Sequence, residues 1–482
     1  MNDGVQNNRL PERWSRITIG DAGRLLSGYA FPKHLQGQKS GDVPFYKVGD
    51  ISRAWQNGSI YLDIADHYIT SDQAYSLNAK LLPLGTVVFA KIGAAIGLNR
   101  RAILSMPALV DNNIMGISPD TSKVDTRFLF YYTCTLSFGE TSRASIIPSI
   151  RKSDVANRTF PLPILDEQQR IVAKIEELFS DLDAGVAALE RVQANLQQYR
   201  ASVLKAAVEG QLTQQWRAEH PDVEPADQLL QRILRERREK WEQDQLAKYE
   251  AKGKKPPKNW KDKYKEPAAP DTTNLPKLPA RWCWATVDQL AAVQSGQTPT
   301  GIKSRLVPNG ALDWFKVGDM NESSNSWYMT AAKARLSSED ADSLGLHRAP
   351  AGTIIFPKRG GAIATNKKRI LAFESSYDLN TMGVTPHSAV ANYFFWWFAT
   401  VDFRKISDGS NVPQINHDDI APLMLPLPPA EEQTAIVSAV EQAVSSADSL
   451  LISIRGNRFR ASKLRQAILQ WAFEGKLINA NP

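Results

Sequence analysis

Apolar residues recur in steps of three and four from residue 164 to residue 212, a spacing that places them on one face of an α-helix. The stretch contains no proline, and it ends at Glu209-Gly210, a typical glycine C-cap. At about 1.5 Å per residue, this helix would be roughly 65–70 Å long. An average helix has about 11–12 residues, so the pattern predicts one unusually long helix.

The same pattern closes the chain at residues 429–477. Pro161-Leu162-Pro163 returns as Pro426-Leu427-Pro428, and Glu209-Gly210 returns as Glu474-Gly475. Two such helices predict an intramolecular coiled coil, and the alternative is two independent helices, each packed on its own domain. The predicted interface residues are Ile171, Ile175, Leu178, Leu182, Val186, Leu189, Leu196 and Val203 in the first helix, and Ile436, Val440, Val444, Leu451, Leu464 and Ile468 in the second.

The repeat also includes the regions that precede the helices. GTVVFAKIG at 85–93 returns as GTIIFPKRG at 352–360, and each predicts a β-strand that enters a glycine turn. The aromatic runs at 128–132 and 393–398 predict buried helices. Each repeat is therefore a globular domain of about 150 residues followed by a long helix, and the fold class is α/β or α+β.

Five segments follow from this organisation. The segments are a first globular domain at 1–163, a first long helix at 164–212, a charged linker at 213–277 with a helix at 226–249, a second globular domain at 278–428, and a second long helix with the C-terminal tail at 429–482. The linker is rich in lysine and proline, and we interpret it as partly disordered with a solvated helix. Nucleic-acid contact by its lysines is the alternative.

Composition narrows the class of protein only moderately. The net charge of +7 and the pI of about 9.1 are compatible with a polyanionic partner. Only two cysteines occur, which favours a reducing compartment, and the N-terminal residues lack the pattern of a signal peptide. The densest apolar run, at 393–398, is too short to span a bilayer. We therefore expect a cytoplasmic protein with no membrane partner.

A search for catalytic motifs finds none. The phosphate-binding glycine motif, the dinucleotide-binding glycine motif and the Asn-Pro-Pro-Tyr type of motif are absent from the sequence, and no histidines are spaced as metal ligands. Asp181 and Asp183 form a carboxylate pair inside the first long helix, which we interpret as a polar layer of the coiled coil rather than a catalytic pair. The chain is expected to be no enzyme and to bind no metal or cofactor.

Basic turns at equivalent places in the two domains are more informative. Lysine and arginine beside flexible glycine suit phosphate contact, and asparagine and arginine can recognise base edges. A second candidate loop precedes each long helix, at 147–152 and 409–416. The predicted DNA-binding residues are Lys91, Asn99, Arg100, Arg101, Ser149, Arg151 and Lys152 in the first domain, and Lys358, Arg359, Asn366, Lys367, Lys368, Ser410, Asn411, Gln414 and Asn416 in the second. The alternative is an ordinary solvated turn.

Internal repetition itself favours DNA as the ligand. If the long helices pair antiparallel, the two domains are related by a pseudo-two-fold axis, which is also the symmetry of the B-DNA backbone. Two domains with different surface residues would then recognise two different half-sites, and the helices would set their spacing.

The ordered set of motifs resembles the specificity subunit of type I restriction–modification enzymes. The resemblance is carried by Ser295-Gly296-Gln297-Thr298-Pro299, Lys316-Val317-Gly318-Asp319, Gly352-Thr353-Ile354-Ile355-Phe356, Gln414-Ile415-Asn416 and the run from Pro426 to Gln433, with most of the set repeated in the first half. The first half departs from the pattern at Ser149-Ile150-Arg151, which replaces Gln-Ile-Asn.

The resemblance implies two target-recognition domains, 1–163 and 278–428, that each recognise half of a bipartite DNA site, and an antiparallel coiled coil. It implies double-stranded DNA, two methyltransferase subunits and motor-nuclease subunits as partners. S-adenosylmethionine, ATP and Mg²⁺ would belong to those partners, and the location would be the nucleoid of a prokaryotic cytoplasm. The rival classes are a free-standing or architectural DNA-binding protein and an enzyme with an unfamiliar active site.

Overall fold

Three small β-sheets form the first globular domain in the computed structural model, which describes residues 10–138 and 148–478. The central strand of the largest sheet pairs antiparallel on both sides, with Val87 opposite Ile117 and Ile103. In spatial order, its five strands are Gly23–Ser27, Ile114–Pro119, Val87–Ala90, Arg101–Leu104 and Tyr61–Leu62. The three-stranded sheet consists of Tyr68–Ile69, Val43–Tyr46 and Leu109–Val110, and the two-stranded sheet of Ser15–Thr18 and Thr159–Leu162.

The second globular domain has the same sheets in the same order. Ile354 on its central strand lies opposite Val384 and Ile370, the counterparts of Ile117 and Ile103. The five strands are Ala291–Ser295, Thr381–Pro386, Ile354–Pro357, Arg369–Leu371 and Tyr328–Met329. The smaller sheets consist of Arg335–Leu336, Leu312–Phe315 and Ser376–Tyr377, and of Cys283–Thr286 and Met424–Leu427. The predicted repeat of a mixed α and β domain is confirmed.

Short helices surround the sheets, and the predicted aromatic helices are among them. In the first domain the α-helices are Ile19–Ala22, Val48–Gln56, Ser71–Ser76, Thr126–Thr135 and Lys152–Ala156, and 3₁₀ turns lie at Lys33–Leu35 and Ala94–Leu98. In the second domain the α-helices are Val287–Leu290, Ser338–Ser343, Ala391–Thr400, Phe403–Ile406 and His417–Ile420, and 3₁₀ turns lie at Ile302–Arg305, Val317–Asn321, Ser323–Asn325, Gly360–Thr365 and Ser388–Val390. The aromatic residues of Thr126–Thr135 and Ala391–Thr400 are buried, as predicted.

Close backbone approach explains the repeated Ser-Gly step at 27–28 and 295–296. A Cβ atom on Gly28 would lie 1.8 Å from the carbonyl oxygen of Asp111, and one on Gly296 would lie 2.1 Å from that of Asp378. Any side chain at either position would therefore separate two neighbouring segments of the domain.

The two long helices extend over Leu165–Val208 and Ala430–Phe473. The chain forms two compact units, Met1–Val192 with Ser453–Pro482 and Gln193–Ile452. Each unit therefore contains one globular domain and a part of both long helices.

A regular seam of alternating three- and four-residue steps faces inward on each long helix. The seam positions are Ile175, Phe179, Leu182, Val186, Leu189, Gln193, Leu196, Arg200, Val203 and Ala207 on the first helix, and Val440, Val444, Ala447, Leu451, Ile454, Arg458, Ala461, Arg465, Ile468 and Ala472 on the second. Most of these residues are buried or half-buried. The spacing is that of a coiled coil, and it repeats residue for residue between the helices.

Ion pairs show that the helices are antiparallel within each unit. In the first unit, Arg465 pairs with Asp183, and Arg458 lies 3.0 Å from Glu190. In the second unit, Nη1 of Arg200 donates to Oδ1 of Asp448 at 2.7 Å, and Thr213, later in the chain than Arg200, donates to Glu432, earlier than Asp448. Asp183 and Arg200 are the counterparts of Asp448 and Arg465, so the same pair forms once in each unit. Asp183 therefore forms an ion pair between the helices from beside the seam. Because Asp181 and Asp183 are both exposed, the prediction that they form a polar layer inside the coiled coil is wrong.

Four predicted interface residues are not on this seam. Ile171 and Ile436 are buried in the cores of the first and second domains, and Leu178 packs against the first of these cores. Leu464 is 42% exposed, whereas its neighbour Arg465 occupies the seam with its guanidinium 4.7 Å from the centre of the Phe179 ring. The pattern of apolar residues favoured the leucine, but the register of the seam selects the arginine. Ile454, which was not predicted, is buried at a seam position.

The end of each long helix completes the core of a globular domain to which it is not adjacent in sequence. Ile468, Ala472 and Phe473 are buried in the core of the first domain. Val203 and Ala207 of the first long helix are buried in the core of the second domain.

A carboxylate near the beginning of each long helix accepts a hydrogen bond from a tryptophan of the domain before it. Nε1 of Trp14 donates to Glu167 at 3.0 Å, and Nε1 of Trp282 donates to the counterpart Glu432 at 2.8 Å. Glu432 is fully buried and also accepts hydrogen bonds from Thr213 and Arg217, just beyond the end of the first long helix. The second domain is therefore joined to both long helices through one side chain.

The linker was interpreted as partly disordered with a solvated helix, but the structure shows a more folded segment. Helices form at Gln214–Glu219 and Ala226–Ala251, the second close to the predicted 226–249, and a 3₁₀ turn forms at Trp260–Lys263. Leu229 and Ile233 are each 1% exposed in the core of the second domain. The helix is thus an integral layer of that domain and not a solvated connection.

By length and composition alone, the helix Ala430–Phe473 is apolar enough to cross a membrane, with a mean hydropathy of 1.3 over its most apolar window. One such helix is weak evidence, because a long core helix passes the same test. Ile436, Val440 and Val444 on this helix are buried in the core of the second domain. These three residues therefore pack on the domain core, whereas only 28% of the most apolar window as a whole is buried.

Phe473→Ala should destabilise the first unit by about 3–5 kcal/mol, the usual effect of removing a buried aromatic side chain. The Phe473 ring lies 5.1 Å from that of Phe128 and 5.2 Å from that of Tyr132, measured between ring centres. The free energy of unfolding is measured by chemical denaturation, with proteolytic cleavage of the first domain as the signal for its unfolding. Phe459→Ala is the matched control, because Phe459 lies on the same helix and is 65% exposed. Equal losses in the two variants would contradict the assigned packing.

Candidate nucleic-acid interface

Backbone hydrogen bonds bring the two predicted loops of each domain together. In the first domain, the Gly93 N–H donates to the Pro148 carbonyl and the Ile150 N–H donates to the Lys91 carbonyl, both at 2.9 Å. The second domain has the corresponding bonds from Gly360 to Pro413 at 2.8 Å and from Ile415 to Lys358 at 2.9 Å. We call these regions the paired loops, residues 91–101 with 148–152 and residues 358–368 with 408–416. Ile147 lies outside the described residues.

Each basic turn ends in an asparagine with left-handed backbone. Asn99 has a φ of 52° and Asn366 a φ of 51°, at the ends of the 3₁₀ turns Ala94–Leu98 and Gly360–Thr365. Asparagine tolerates this conformation better than most residues. Their side chains are also engaged, because Asn99 Oδ1 accepts from Arg101 and Asn366 Oδ1 accepts from the Phe403 N–H. The two asparagines therefore shape the loop rather than present a free amide.

The prediction that Arg101 and Lys368 contact DNA is wrong, because both side chains are buried. Arg101 is 2% exposed and donates to Asn99 and to the Leu136 carbonyl at 2.8 and 3.0 Å. Its guanidinium lies 4.6 Å from the centre of the Phe138 ring.

Lys368 is the counterpart of Arg101 and is 6% exposed. Its ammonium donates to Asn366 and to the Val401 carbonyl, and it lies 4.0 Å from the centre of the Phe403 ring. Each domain therefore holds a cation between an asparagine, a carbonyl oxygen and an aromatic ring. Burial lowers the pKa of Lys368 to about 7 and that of Arg101 to about 10.

The remaining cations of the paired loops lie at the surface or near it. Lys91 and Lys358 are half-buried, and Nζ of Lys358 donates to Ser295 Oγ at 3.0 Å. Burial lowers the pKa of both lysines, with smaller contributions from the charges of Lys152 and Arg359, respectively. Neighbouring cations that repel each other in this way favour an anionic ligand between them.

The variable position in each basic turn precedes the buried cation. Arg100 and Lys367 are both half-buried, and the ammonium of Lys367 donates to Asn321 Oδ1. The side chain changes from arginine to lysine at this position and at the buried position that follows, but only Arg100 and Lys367 reach the surface. They are therefore the candidates for contacts that differ between the domains.

Local hydrogen bonds hold the loop before the second long helix. Asp408 accepts from the N–H groups of Ser410 and Gln414, at 3.2 and 3.0 Å, and from Ser410 Oγ at 3.0 Å. These bonds lower the pKa of Asp408. Asn411 at the tip is exposed, and Gln414 Nε2 donates to Asn416 Oδ1 at 2.7 Å. The loop thus presents amide side chains on a rigid backbone.

The first domain places different groups at the same positions. Ser149 lies opposite Ile92 as Gln414 lies opposite Arg359. Arg151 and Lys152 are exposed at the start of the helix Lys152–Ala156. At one pair of equivalent positions, the first domain therefore presents a cation, Arg151, where the second presents an amide, Asn416.

The sequence did not predict that Asn99 and Asn366 hold a buried cation two positions later, or that Ser295 binds Lys358. The recurrence of an asparagine two positions before a cation in both repeats was the sequence feature that could have indicated the first of these roles. Among residues 10–138 and 148–478, no group of three His, Cys, Asp or Glu side chains is arranged to hold a metal ion.

Lys368→Met should stabilise the second unit more at about pH 6 than at about pH 9. The pKa of Lys368 is about 7 in the folded chain, against the ordinary value of 10.5. Between these two pKa values the unfolded chain binds more protons than the folded chain, so the stability of the wild type rises with pH. Below the folded pKa, the wild type bears the full free-energy cost of burying a charged ammonium, which the methionine variant avoids. Denaturant titrations at the two pH values measure the difference between the variant and the wild type.

Arg101→Met is the control for this pH dependence. The pKa of Arg101 is about 10 when folded, so the side chain stays charged in both states over most of the same range. Its effect on stability should be nearly independent of pH below about 9. A flat pH response for Lys368→Met would show that its ammonium stays charged in the folded chain.

Comparison with known proteins finds one family across both halves of the chain. A model described as the type I restriction modification DNA specificity domain matches residues 11–191 and 279–450. The specificity subunit of the type I restriction enzyme EcoDI from Escherichia coli is 27% identical over 348 residues, which cover 70% of this chain and 66% of that protein. The StySPI specificity subunit from Salmonella potsdam is 23% identical, with 98% of this chain and 91% of that protein covered.

Solved structures support the same fold. The HsdS subunit from Thermoanaerobacter tengcongensis superimposes with a TM-score of 0.53 at 18% identity, covering 99% of this chain and all of that one. A chain from a study of complex assembly and conformational transition of the type I R-M system gives a TM-score of 0.67 at 16% identity, covering 98% of this chain and 100% of that one. At these identities, the likeness concerns the fold. The match with the EcoDI protein spans about two thirds of that protein's length.

Proposed function

This chain belongs to the family of type I restriction–modification DNA specificity subunits, and we propose that it is the sequence-specific DNA-binding subunit of such a complex. Each globular domain recognises one half of a bipartite site. The recognition domains are placed at 1–163 and 278–428, and the long helices at 164–212 and 429–482. The chain performs no catalysis and carries no cofactor of its own.

The observation that carries this proposal is the pair of equivalent loop regions with different surface side chains. Both regions have the same backbone hydrogen bonds, the same left-handed asparagine and a buried cation. Their exposed positions differ, with Ser149 and Arg151 in one domain and Gln414 and Asn416 in the other. A repeated framework with different surface groups suits two half-sites of different sequence.

Two kinds of contact would act together at each half-site. Cations of the paired loops bind phosphates and supply salt-dependent affinity. Polar side chains meet base edges, and a glutamine or asparagine that bonds adenine in a bidentate way contributes about 1–3 kcal/mol of discrimination. The revised set of DNA-contacting residues is Lys91, Arg100, Ser149, Arg151 and Lys152 in the first domain, and Lys358, Arg359, Lys367, Ser410, Asn411, Gln414 and Asn416 in the second.

The coiled coil sets the distance between the half-sites and carries the catalytic partners. Two methyltransferase subunits bind its exposed faces, bring S-adenosylmethionine and flip one base from each half-site. Motor-nuclease subunits supply the ATP- and Mg²⁺-dependent activities. DNA binding places the protein in the cytosol, and continuous contact with DNA places it at the nucleoid.

Mapping of methylated adenines in the host genome tests this function. With the gene present, one bipartite motif should be methylated in both halves, and deletion of the gene should abolish methylation of that motif alone. An unchanged methylation map would contradict the proposal. Failure of the tagged chain to co-purify a methyltransferase would favour a free-standing DNA-binding protein, and methylation by the isolated chain would favour an enzyme.

Arg100→Ala should weaken DNA binding through the first half-site only. Loss of one phosphate contact would lower the slope of log affinity against log salt by about 0.9. The matched variant Lys367→Ala should act through the second half-site, as measured on duplexes with one half-site scrambled. If Arg100→Ala leaves both affinity and slope unchanged, this turn is no part of the interface.

A further inference from the structure

Most of the net positive charge of this chain lies in one short segment. Residues 252–265, the lysine segment, contain seven lysines and one aspartate, a net charge of +6, whereas the whole chain has +7. The remainder of the protein is therefore close to neutral. Long-range attraction to a polyanion depends on summed charge, so this segment dominates it.

Aromatic packing holds the lysine segment in a defined position. The ring of Trp260 stacks on Trp241 of the helix Ala226–Ala251 with centres 5.9 Å apart, and the ring of Tyr264 lies 5.2 Å from Trp241. Lys261 pairs with Glu242 at 2.6 Å. The segment thus folds back on the helix, and its position is fixed by more than its own charges.

The supporting helix is in turn fixed to the second domain. Besides its buried apolar face, Arg237 pairs with Asp288 at 3.3 Å. The Ala268 N–H, three residues beyond the lysine segment, donates to Asp288 Oδ2 at 3.2 Å. The helix that supports the lysine segment and the residue Ala268 beyond that segment therefore both bind the Asp288 carboxylate of the second domain.

The backbone of Asp288 is linked through one short helix to the end of the paired loops of the second domain. The Asp288 N–H donates to the Ala421 carbonyl at 2.9 Å, and the Ala421 N–H donates to the His417 carbonyl at 2.8 Å. His417 directly follows Asn416. In the first domain, Gly20 occupies the position of Asp288. The first domain therefore lacks the carboxylate that holds the lysine segment.

The exposed lysines have the chemistry of phosphate ligands. All seven are exposed, and within the described part of the chain the ammonium groups of Lys254, Lys255, Lys258 and Lys263 have no ion-pair or hydrogen-bond partner. A lysine ammonium is a mobile point charge, suited to phosphate contact without bidentate recognition of a base.

We propose that the lysine segment binds the sugar–phosphate backbone of DNA next to the half-site recognised by the second domain, independently of base sequence. This inference rests on the proposed function, because it takes the DNA held by the paired loops as its ligand. The segment adds affinity to every duplex and leaves the preference for the target unchanged.

The test replaces four unpaired lysines in the full chain, purified with the subunits that accompany it. The variant K254Q/K255Q/K258Q/K263Q is compared with the wild type on the methylated-motif duplex and on a random-sequence duplex over a range of salt concentrations. Affinity for both duplexes should fall by the same factor, on the order of ten- to a hundredfold at low salt. The salt slope should fall by about 0.9 for each lysine that contacts a phosphate.

The matched variant K254R/K255R/K258R/K263R keeps the charge and should bind both duplexes as the wild type does. An unchanged affinity and slope in the glutamine variant would overturn the proposal. Loss of the target preference alone would also overturn it, because it would assign base recognition to the segment. Loss of the accompanying subunits with normal DNA binding would overturn it in favour of an acidic protein partner.

Failure of the proposed function gives a different result. The wild type would then bind the motif duplex and the random duplex equally well, whatever the effect of the lysine substitutions. A melting temperature equal to that of the wild type confirms that the glutamine variant is folded.

Discussion

The structure depends on one packing constraint, which is that neither globular domain can complete its core with residues near it in sequence. The first domain takes Ile468 and Phe473 from the end of the chain, and the second takes Val203 and Ala207 from the first long helix. Contacts of such sequence separation form late, because a long loop must close before they contribute. The paired long helices bring these residues together, so the helices and the domains stabilise one another.

Polar groups give this packing its register. Asp183 with Arg465 and Asp448 with Arg200 form the same ion pair once in each unit. Partly exposed pairs of this kind contribute little stability, on the order of 1 kcal/mol or less. These ion pairs select one alignment of the two apolar seams, which could otherwise pack with a shift of one heptad. The buried Glu432 has a comparable role, because a carboxylate without its donors would be costly there.

Within each recognition domain, structural and ligand-binding roles fall on adjacent residues. In the turn after the central strand, the buried Arg101 donates to the Asn99 side chain, whereas Arg100 between them is half-buried; the second domain repeats this arrangement. The framework can therefore stay the same while the intervening side chain changes. The lysine segment departs from this symmetry, since it concentrates positive charge on the second domain alone.

Local spacing in the sequence determined the elements of this protein. The three- and four-residue steps predicted both long helices, the β-branched runs predicted the central strands, and the matching motifs predicted two equivalent domains and their family. These features depend on neighbours along the chain, and the pattern records them directly. The family assignment likewise rested on the order of motifs that recur at matching places in both halves.

Tertiary structure alone decided which residues of each pattern are buried. Sequence could not separate Arg100 from Arg101, or Leu464 from Arg465, because burial depends on groups that approach from distant segments, such as the Phe138 and Phe179 rings. The lysine-rich linker looked disordered for the same reason. Its few apolar residues gain stability only against the core of the second domain and the Trp241 ring, neither of which is visible in local composition.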